Sequence, residues 1–234
     1  AYLVERLVDL AAREMKMDPI EFRRLNFIGK DEFPYQTPLA MLYDSGDYNK
    51  LFDEAVRISE YTNLLAERDA ARAEGRIVGI GVCGCIEASG PAPSKVAGSL
   101  GSAVGFWESS IVRVHPSGKV SVFTGSHSHG QGHETAFAQI CAAVTGLDYD
   151  AVRVHAGDTS QSPLNTGAFA SRTLIAAAAA INQAGKAFRE KILLIAVQAL
   201  ARPPEALSIR GGQVCADTGD SIALRDVFMR AITG

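Results

Sequence analysis

Apolar positions at helical spacing dominate the first part of the chain. They recur every three or four residues from the start, and Asp18 followed by Pro19 supplies a cap and a first-turn proline. This pattern predicts a helical pair over residues 1–27. An irregular segment rich in Pro, Gly and Tyr follows, and helical spacing returns over residues 48–74. We therefore predict that residues 1–74 form a helical N-terminal layer.

From residue 75 onward the pattern mixes strands and helices. The predicted strands are residues 77–87, 108–115, 119–124 and 151–156, and the predicted helices are residues 135–144, 174–200 and 222–232. A Pro-Ser-Gly turn joins the second and third strands, as is typical of a hairpin, and glycine-rich residues 98–105 are predicted to be a loop. The helix over residues 174–200 is so apolar that we expect it to be mostly enclosed by protein. Residues 75–234 are thus predicted to form an α+β domain, a mixed sheet with packed helices.

Composition narrows the classes of function. The chain has 234 residues, 47% of them hydrophobic, and a net charge of −3, which argues against a broad basic surface for nucleic acid. Small organic substrates or other protein subunits are the expected partners. The four cysteines form no C-x-x-C pair, which favours a reducing, cytoplasmic location. The chain has no uninterrupted stretch of about 18 apolar residues, which a membrane span would require, so we expect a soluble protein.

The segment 125–135, GSHSHGQGHET, has the features of an anion-binding loop. It lies between a predicted strand and a predicted helix. Gly130 and Gly132 let backbone N–H groups approach a ligand closely, and the helix start adds unpaired amides and its dipole. The carboxamide of Gln131 can both donate and accept hydrogen bonds, so a phosphate or a polar heterocycle fits. A tight turn with Gln131 as a helix cap remains an alternative.

The segment 165–173, NTGAFASRT, repeats this arrangement. Ser171 and Thr173 offer hydroxyl donors and Arg172 offers positive charge, immediately before a long helical pattern. The chain therefore presents two candidate anion-binding helix starts. An ordinary N-cap followed by a solvated arginine is the alternative interpretation.

Histidines near the first loop suggest a different chemistry. On a strand, His127 and His129 would point to the same face, with His133 close behind. A His-x-His pair at a strand end is one way in which metal-dependent hydrolases hold zinc. Further ligands are scarce, because only His155 and Asp158 follow at a suitable place. A metal-dependent hydrolase is therefore kept as an alternative, and no metal ligand is assigned.

Six segments in a fixed order carry a family resemblance. They are MDPIEFRRLNFI (17–28), PYQTPLAMLYDSGDYNKLFDEA (34–55), GIGVCGCIEASGPAPSK (79–95), GQGHETAFAQI (130–140), VHAGDTSQSP (154–163) and GAFASRT (167–173). Together they resemble the large, molybdopterin-binding subunit of the molybdenum hydroxylases, the family of xanthine dehydrogenase, aldehyde oxidase and aerobic carbon monoxide dehydrogenase. Several ordered motifs are far more specific than any one of them, and they extend over nearly the whole chain.

The resemblance implies a cofactor and the residues that hold it. The residues implied to contact the pterin or the nucleotide end are Gly130, Gln131, Gly132 and Thr135. Those implied to line the phosphate and dithiolene region are Ala170, Ser171, Arg172 and Thr173. In this family a molybdopterin cofactor, commonly in its cytosine dinucleotide form in bacteria, serves the oxidation of aldehydes, N-heterocycles or carbon monoxide with water as the oxygen source. Electrons leave through iron–sulfur clusters and FAD on partner subunits or domains, and homo-oligomerisation is left open.

The chain also departs from the family. The second loop often reads G-S-R-S where this chain has Ala at position 170 and Thr at 173, and Ser-Gln often stands where Ser128 and His129 stand here. The catalytic glutamate of the family lies further toward the C-terminus, so no catalytic residue is assigned. We expect the chain to resemble a middle section of a longer subunit, to be inactive alone and, when isolated, to bind no cofactor. A non-catalytic scaffold or assembly module, suited to the apolar helix 174–200, is the alternative.

Overall fold

The computed structural model describes residues 2–38, 41–87, 89, 90, 94–99, 101, 103 and 105–233. The chain divides into two compact units, Ala1–Glu87 and Ala88–Gly234. The boundary predicted between residues 74 and 75 stays a prediction about domains, because compactness alone does not show which segment folds independently. The predicted glycine-rich loop falls partly outside the described residues, at 100, 102 and 104.

The first unit is mainly helical. Its elements are α1 (Tyr2–Glu14), α2 (Pro19–Asn26), β1 (Tyr35–Gln36), β2 (Leu42–Tyr43), α3 (Tyr48–Ile58) and α4 (Tyr61–Ala73). The Asp18 side chain accepts a hydrogen bond from the Ile20 amide at 2.7 Å, and Pro19 occupies the first helical position. These caps confirm the predicted helical pair. The two-residue strands β1 and β2 pair antiparallel within the segment predicted to be irregular.

A buried arginine ties the first two helices together. The Arg23 side chain is only 3% exposed, and its Nη2 lies 2.8 Å from a carboxylate oxygen of Glu5 and 2.9 Å from one of Asp9. Its Nη1 donates to the Pro19 carbonyl at 3.1 Å. Both carboxylates lie on α1 and the guanidinium lies on α2, so the ion pairs fix the packing of this helical pair.

The predicted strand over residues 77–87 is not formed. The structure describes every residue of this segment, and none of them is in a strand. Ile77 is fully exposed, and a Cβ on Gly79 or Gly81 would meet open space. A strand needs a hydrogen-bonded neighbour, and none of the described segments pairs with this one. The apolar, glycine-rich composition of this segment was therefore not enough to predict a strand.

The second unit has an α+β fold, as predicted. Its elements are α5 (Ser94–Ser99), β3 (Ser110–Val114), β4 (Val120–Thr124), α6 (His133–Thr145), β5 (Val152–His155), α7 (Thr173–Leu200), β6 (Leu207–Arg210), β7 (Gln213–Ala216), β8 (Ser221–Ala223) and α8 (Leu224–Thr233). The hairpin, the fifth strand and the last three helices confirm predictions. Helix α5 includes the first two residues of the predicted loop 98–105.

A mixed three-stranded sheet in the order β3-β4-β5 positions the first loop. Strand β4 pairs antiparallel with β3 and parallel with β5, with Val120 opposite Val152. A parallel pair needs a crossover, and α6 provides it. Because β4 is central, all five of its residues are buried. The loop after β4 therefore starts from a rigid strand and leads directly into α6.

A second, antiparallel sheet in the order β6-β7-β8 was not predicted. Gly211 and Gly212 form the two-residue connection between β6 and β7, with φ values of 53° and 70°. Positive φ at both positions is the requirement of a type I′ hairpin turn. This Gly-Gly pair between two short alternating runs was the available signal.

The core of the second unit lies between its sheets and helices. Helix α7 buries one stripe that includes Ala177, Ile181, Ile192 and Ala196, and it packs against α6. Other α7 side chains stay exposed, namely Leu174, Ile175 and Leu194. The expected enclosure of this helix is therefore only partial in this chain. Among the described helices, including this one of 28 residues, none is both long and apolar enough to cross a membrane.

Candidate functional site

The two predicted loops meet at one cavity of about 520 Å³. One loop joins β4 to α6 and the other leads into α7, so two helix starts contribute to the same wall. The residues that line it are His129, Gln131, His133, Ala136, Ala168, Phe169, Ala170, Ser171, Thr173 and Leu174. The volume lies in the range of small-molecule and cofactor sites, about 300–1,000 Å³. Two loops that resemble each other in sequence thus line a single cavity.

The predicted site residues divide into two groups. Those on the cavity wall are Gln131, Ala170, Ser171 and Thr173. Those outside the described wall are Gly130, Gly132, Thr135 and Arg172. The residues predicted to bind the cofactor did not include several wall residues, above all Phe169 and His133. From the sequence, His133 was considered only as a possible metal ligand. The signal for both residues was their place beside the second helix start and on the first turn of α6.

Both helix starts lack a side-chain cap. Gly132 is the N-cap of α6, with φ of 77°, and Arg172 is the N-cap of α7; neither makes a side-chain cap hydrogen bond. The first backbone N–H groups of a helix have no intrahelical partner, and together they carry partial positive charge. The arrangement is therefore suited to an anion held by backbone amides.

Gln131 presents its amide nitrogen as the available hydrogen-bonding end. Its Oε1 accepts a hydrogen bond from the His129 backbone amide. The neighbouring Gly130 has φ of 99°, and a Cβ on Gly130 or Gly132 would meet no atom within 4 Å. Positive φ and open space on both sides of Gln131 leave room for a ligand to approach the backbone closely.

His133 is a buried polar side chain on the cavity wall. It is 6% exposed, its ring stacks on Phe137 with centroids 5.0 Å apart, and its Nδ1 has no hydrogen-bond partner in the described part of the chain. Burial lowers the pKa of His133, although the adjacent Glu134 acts in the opposite direction. The neutral imidazole is therefore favoured, and a buried nitrogen without a partner is what a bound ligand would satisfy.

Arg172 is turned into the protein. Its side chain is fully buried; Nη1 donates to the Gly167 carbonyl at 2.6 Å, and Nη2 donates to the Trp107 carbonyl at 3.1 Å. Nη1 also forms an ion pair with Glu108 at 3.6 Å, and the guanidinium carbon lies 5.4 Å from the centre of the Phe169 ring. Direct contact of Arg172 with a ligand phosphate stays a prediction, and this geometry favours an indirect role.

The second loop contains two consecutive left-handed residues. Ala170 has φ of 46° and Ser171 has φ of 52°. This conformation costs L-residues about 1–2 kcal/mol each, and glycine adopts it without that cost. The family resemblance implies a glycine at the position of Ala170. The loop is therefore held in a strained shape by its surroundings.

The two loops touch where each one starts. A Cβ on Gly125 would lie 1.7 Å from Nδ2 and 2.7 Å from Cβ of Asn165. The Oδ1 atom of Asn165 accepts a hydrogen bond from the Gly167 amide at 2.9 Å, which shapes the second loop. Only glycine allows this close approach, so the absence of a side chain at Gly125 lets the two loops come into contact.

The histidines do not form a metal centre. The rings of His127 and His129 make an edge contact with centroids 5.0 Å apart. His155 instead stacks on Phe123, and its Nε2 lies 3.0 Å from the Ser121 hydroxyl. Across the described ranges, no group of three or more His, Cys, Asp or Glu side chains could hold a metal ion. A zinc-dependent hydrolase gains no support from this part of the chain.

Comparisons with known proteins identify the family. A model of the molybdopterin cofactor-binding domain matches residues 54–233. The chain is 38% identical over 202 residues to the carbon monoxide dehydrogenase large chain of Hydrogenophaga pseudoflava, covering 85% of this chain and 25% of that protein. It is 30% identical over 227 residues to the nicotine 6-hydroxylase large subunit of Paenarthrobacter nicotinovorans, covering 96% of this chain and 28% of that one.

A solved structure shows the same fold. Quinoline 2-oxidoreductase from Pseudomonas putida 86 superposes with a TM-score of 0.66 at 29% identity, over 98% of this chain and 29% of that one. The chain thus spans about a quarter of the length of the relatives it matches. Because the family model covers well over half of the residues, the chain belongs to the molybdopterin cofactor-binding domain family of the molybdenum hydroxylases.

Proposed function

We propose that the cavity between the two loops binds part of a molybdopterin cofactor, and that the chain thereby supplies a section of the cofactor site of a molybdenum hydroxylase. The observation that carries this proposal is the convergence of two helix starts without side-chain caps on one cavity. Such starts favour phosphate oxygens, which the cofactor carries.

The residues present fit this group. Backbone amides at the starts of α6 and α7 suit a phosphate, and the Gln131 amide nitrogen suits a pterin or phosphate oxygen. Phe169 and Leu174 add an apolar surface for a ring, and the unpartnered Nδ1 of His133 offers a further hydrogen bond. Among the described wall residues there is no Lys or Arg, so the attraction for an anion comes from the helix dipoles.

The residues of this chain bind the cofactor and orient it. In this proposal the Nε2 group of Gln131 donates a hydrogen bond to the cofactor, and Gly130 and Gly132 let the backbone approach it closely. The hydroxyls of Ser171 and Thr173 contact it as well. Thr135 and Ala170 complete the two loops, and Arg172 holds the second loop from behind. When bound, the cofactor supplies the oxidation chemistry of the family, in which water is the source of the oxygen. The general base of the family is not assigned to a residue of this chain.

The proposed substrate class, location, cofactor form and partner subunits rest on the family and on the names of the relatives. Relatives are named for carbon monoxide, nicotine and quinoline. We propose a small substrate of these classes, that is carbon monoxide, an aldehyde or an N-heterocycle, for an enzyme that works in the cytoplasm. We also propose the cytosine dinucleotide form of the cofactor, iron–sulfur clusters and FAD on partner subunits, and no turnover by this chain alone.

Cofactor retention tests the proposal. The protein is isolated, with the chains that copurify with it, from a host that makes the molybdenum cofactor. Molybdenum, pterin and the nucleotide released by acid are then measured per chain. Loss of the Gln131 hydrogen bond in Gln131→Ala should speed cofactor release about tenfold, since one hydrogen bond is worth about 1–1.5 kcal/mol. Gln198→Ala, an exposed glutamine of α7, is the matched control and should release cofactor at the wild-type rate.

The outcomes separate the candidate functions. Molybdenum with pterin in the wild type, and faster release from Gln131→Ala alone, supports the cavity as the cofactor site. Equal release from both variants contradicts the role of Gln131. A folded, fully assembled protein without molybdenum contradicts the proposal and leaves a scaffold for neighbouring chains as its function.

A further inference from the structure

A buried carboxylate lies between the two loops of the site. The Ser126 hydroxyl, at the start of the first loop, donates to Oε2 of Glu108 at 2.6 Å. The Arg172 guanidinium, at the end of the second loop, has its Nη1 3.6 Å from the same oxygen. One oxygen atom of Glu108 thus contacts both loops.

The three side chains that meet at this oxygen are buried, so loss of any one of them would leave a buried polar group without its partner. The side chains of Glu108 and Arg172 are 1% and 0% exposed, and Ser126 is fully buried. Oε1 of Glu108 and Nε of Arg172 have no hydrogen-bond partner in the described part of the chain. Buried charges are tolerated when paired, and removal of one partner leaves the other uncompensated. Loss of the Glu108 charge would therefore leave the buried Arg172 guanidinium without this ion pair.

The segment around Glu108 is also bound to the second loop on either side. The Ser109 hydroxyl donates to the Leu164 carbonyl at 2.6 Å, and the Thr166 hydroxyl donates to the Trp107 carbonyl at 3.1 Å. Arg172 donates to the same Trp107 carbonyl. Residues 107–109 therefore form a brace that runs along the second loop and reaches the first loop through Glu108.

We propose that Glu108 is a positioning residue that couples the two loops, so that a change at one loop alters the other. Glu108 is not among the described residues of the cavity wall, and it acts through Ser126 and Arg172. Its effect on cofactor retention rests on the proposed function, whereas the coupling itself does not.

The experiment measures loop protection and cofactor content separately. Amide hydrogen exchange is followed at residues 126–132, at residues 166–172 and in strand β4, in the protein isolated with its copurifying chains. Glu108→Gln keeps the shape and removes the charge, and amides in both loops should exchange about tenfold faster or more, while β4 stays protected. Glu108→Asp keeps the charge and should exchange at rates between those of the wild type and Glu108→Gln. Glu205→Gln, an exposed glutamate, is the control.

A second variant tests the coupling if Glu108→Gln does not fold. Ser126→Ala removes one hydroxyl in the first loop, and it should speed exchange in the second loop. Faster exchange confined to the mutated loop overturns the proposal, as does a Glu108→Asp protein that behaves like Glu108→Gln, because volume and not charge would then explain the effect. A wild type without molybdenum, combined with coupled exchange, would contradict the proposed function and leave the positioning role standing.

Discussion

Substitution of Gly125 by alanine tests whether the two loops of the cavity are in contact. The added methyl carbon would lie 1.7 Å from Nδ2 and 2.4 Å from Cγ of Asn165. The φ of Gly125 is not in the left-handed region, so backbone strain adds little. Asn165 must move, and its hydrogen bond to the Gly167 amide would be lost.

The expected cost follows from these two effects. Overpacking in a tight contact costs about 1–3 kcal/mol, because Cβ of Asn165 belongs to the backbone frame and cannot rotate away. The lost hydrogen bond adds about 0.5–1.5 kcal/mol. The free energy of unfolding of the second unit should therefore fall by about 2–4 kcal/mol, which corresponds to a decrease in Tm of roughly 5–15 °C for a unit of this size.

The single tryptophan of the chain, Trp107, provides the assay. It belongs to the brace beside the second loop, so its emission during urea unfolding reports on this unit. Gly98→Ala is the control: Gly98 is exposed on α5, a Cβ there meets open space, and the variant should be neutral or slightly more stable. Addition of Asn165→Gly to Gly125→Ala removes the overlapping atoms and should recover about 1–3 kcal/mol as a coupling energy.

A Gly125→Ala protein within about 0.5 kcal/mol of the wild type would refute the contact, since substitutions that disturb no tight contact usually change stability by no more than that. The same conclusion would follow from additive effects of the two substitutions. The loops would then lie apart, and the cavity would not be a single site.

Three further predictions concern strain, pH and the first unit. Ala170→Gly removes the strain of a left-handed alanine and should raise the free energy of unfolding by about 0.5–1 kcal/mol. Its control, Ala179→Gly in an exposed part of α7, should lower that free energy by about 1 kcal/mol. Urea unfolding measures both, and a loss of stability in both variants would contradict the strain at Ala170. Burial lowers the pKa of His133 and His155, so the unfolded chain binds protons first and stability should fall as the pH drops below about 6.5. Replacement of both by Gln should flatten this slope between pH 7.5 and 5.5, and an unchanged slope would assign it to other groups. Arg23→Ala should destabilise the first unit by about 2–3 kcal/mol in thermal unfolding, less than for a fully buried pair because Glu5 and Asp9 are partly exposed; no change would show that the ion pairs do not hold α1 to α2.

Local chemistry made several elements predictable. Asp18 caps α2 by accepting a hydrogen bond from the amide two residues later, and Pro19 follows at the first helical position. The Pro-Ser-Gly turn closes the hairpin of β3 and β4. The Gly211–Gly212 pair is a similar local signal, because positive φ at both positions closes a two-residue hairpin turn. The strand predicted over residues 77–87 was wrong for the opposite reason: a strand depends on a neighbour elsewhere in the chain, which local pattern does not reveal.

The sequence alone determined the family, the two loop motifs and the helices that follow them, because each depends on residues that are adjacent or a few positions apart. Only the tertiary structure decided that the loops share one cavity, that Arg172 is buried against Trp107 and Glu108, and that Gly125 meets Asn165. These contacts join residues 40 or more positions apart. They arise when the sheet and helices pack. Packing buries Arg172, a candidate phosphate ligand in the sequence, against the Trp107 carbonyl and Glu108.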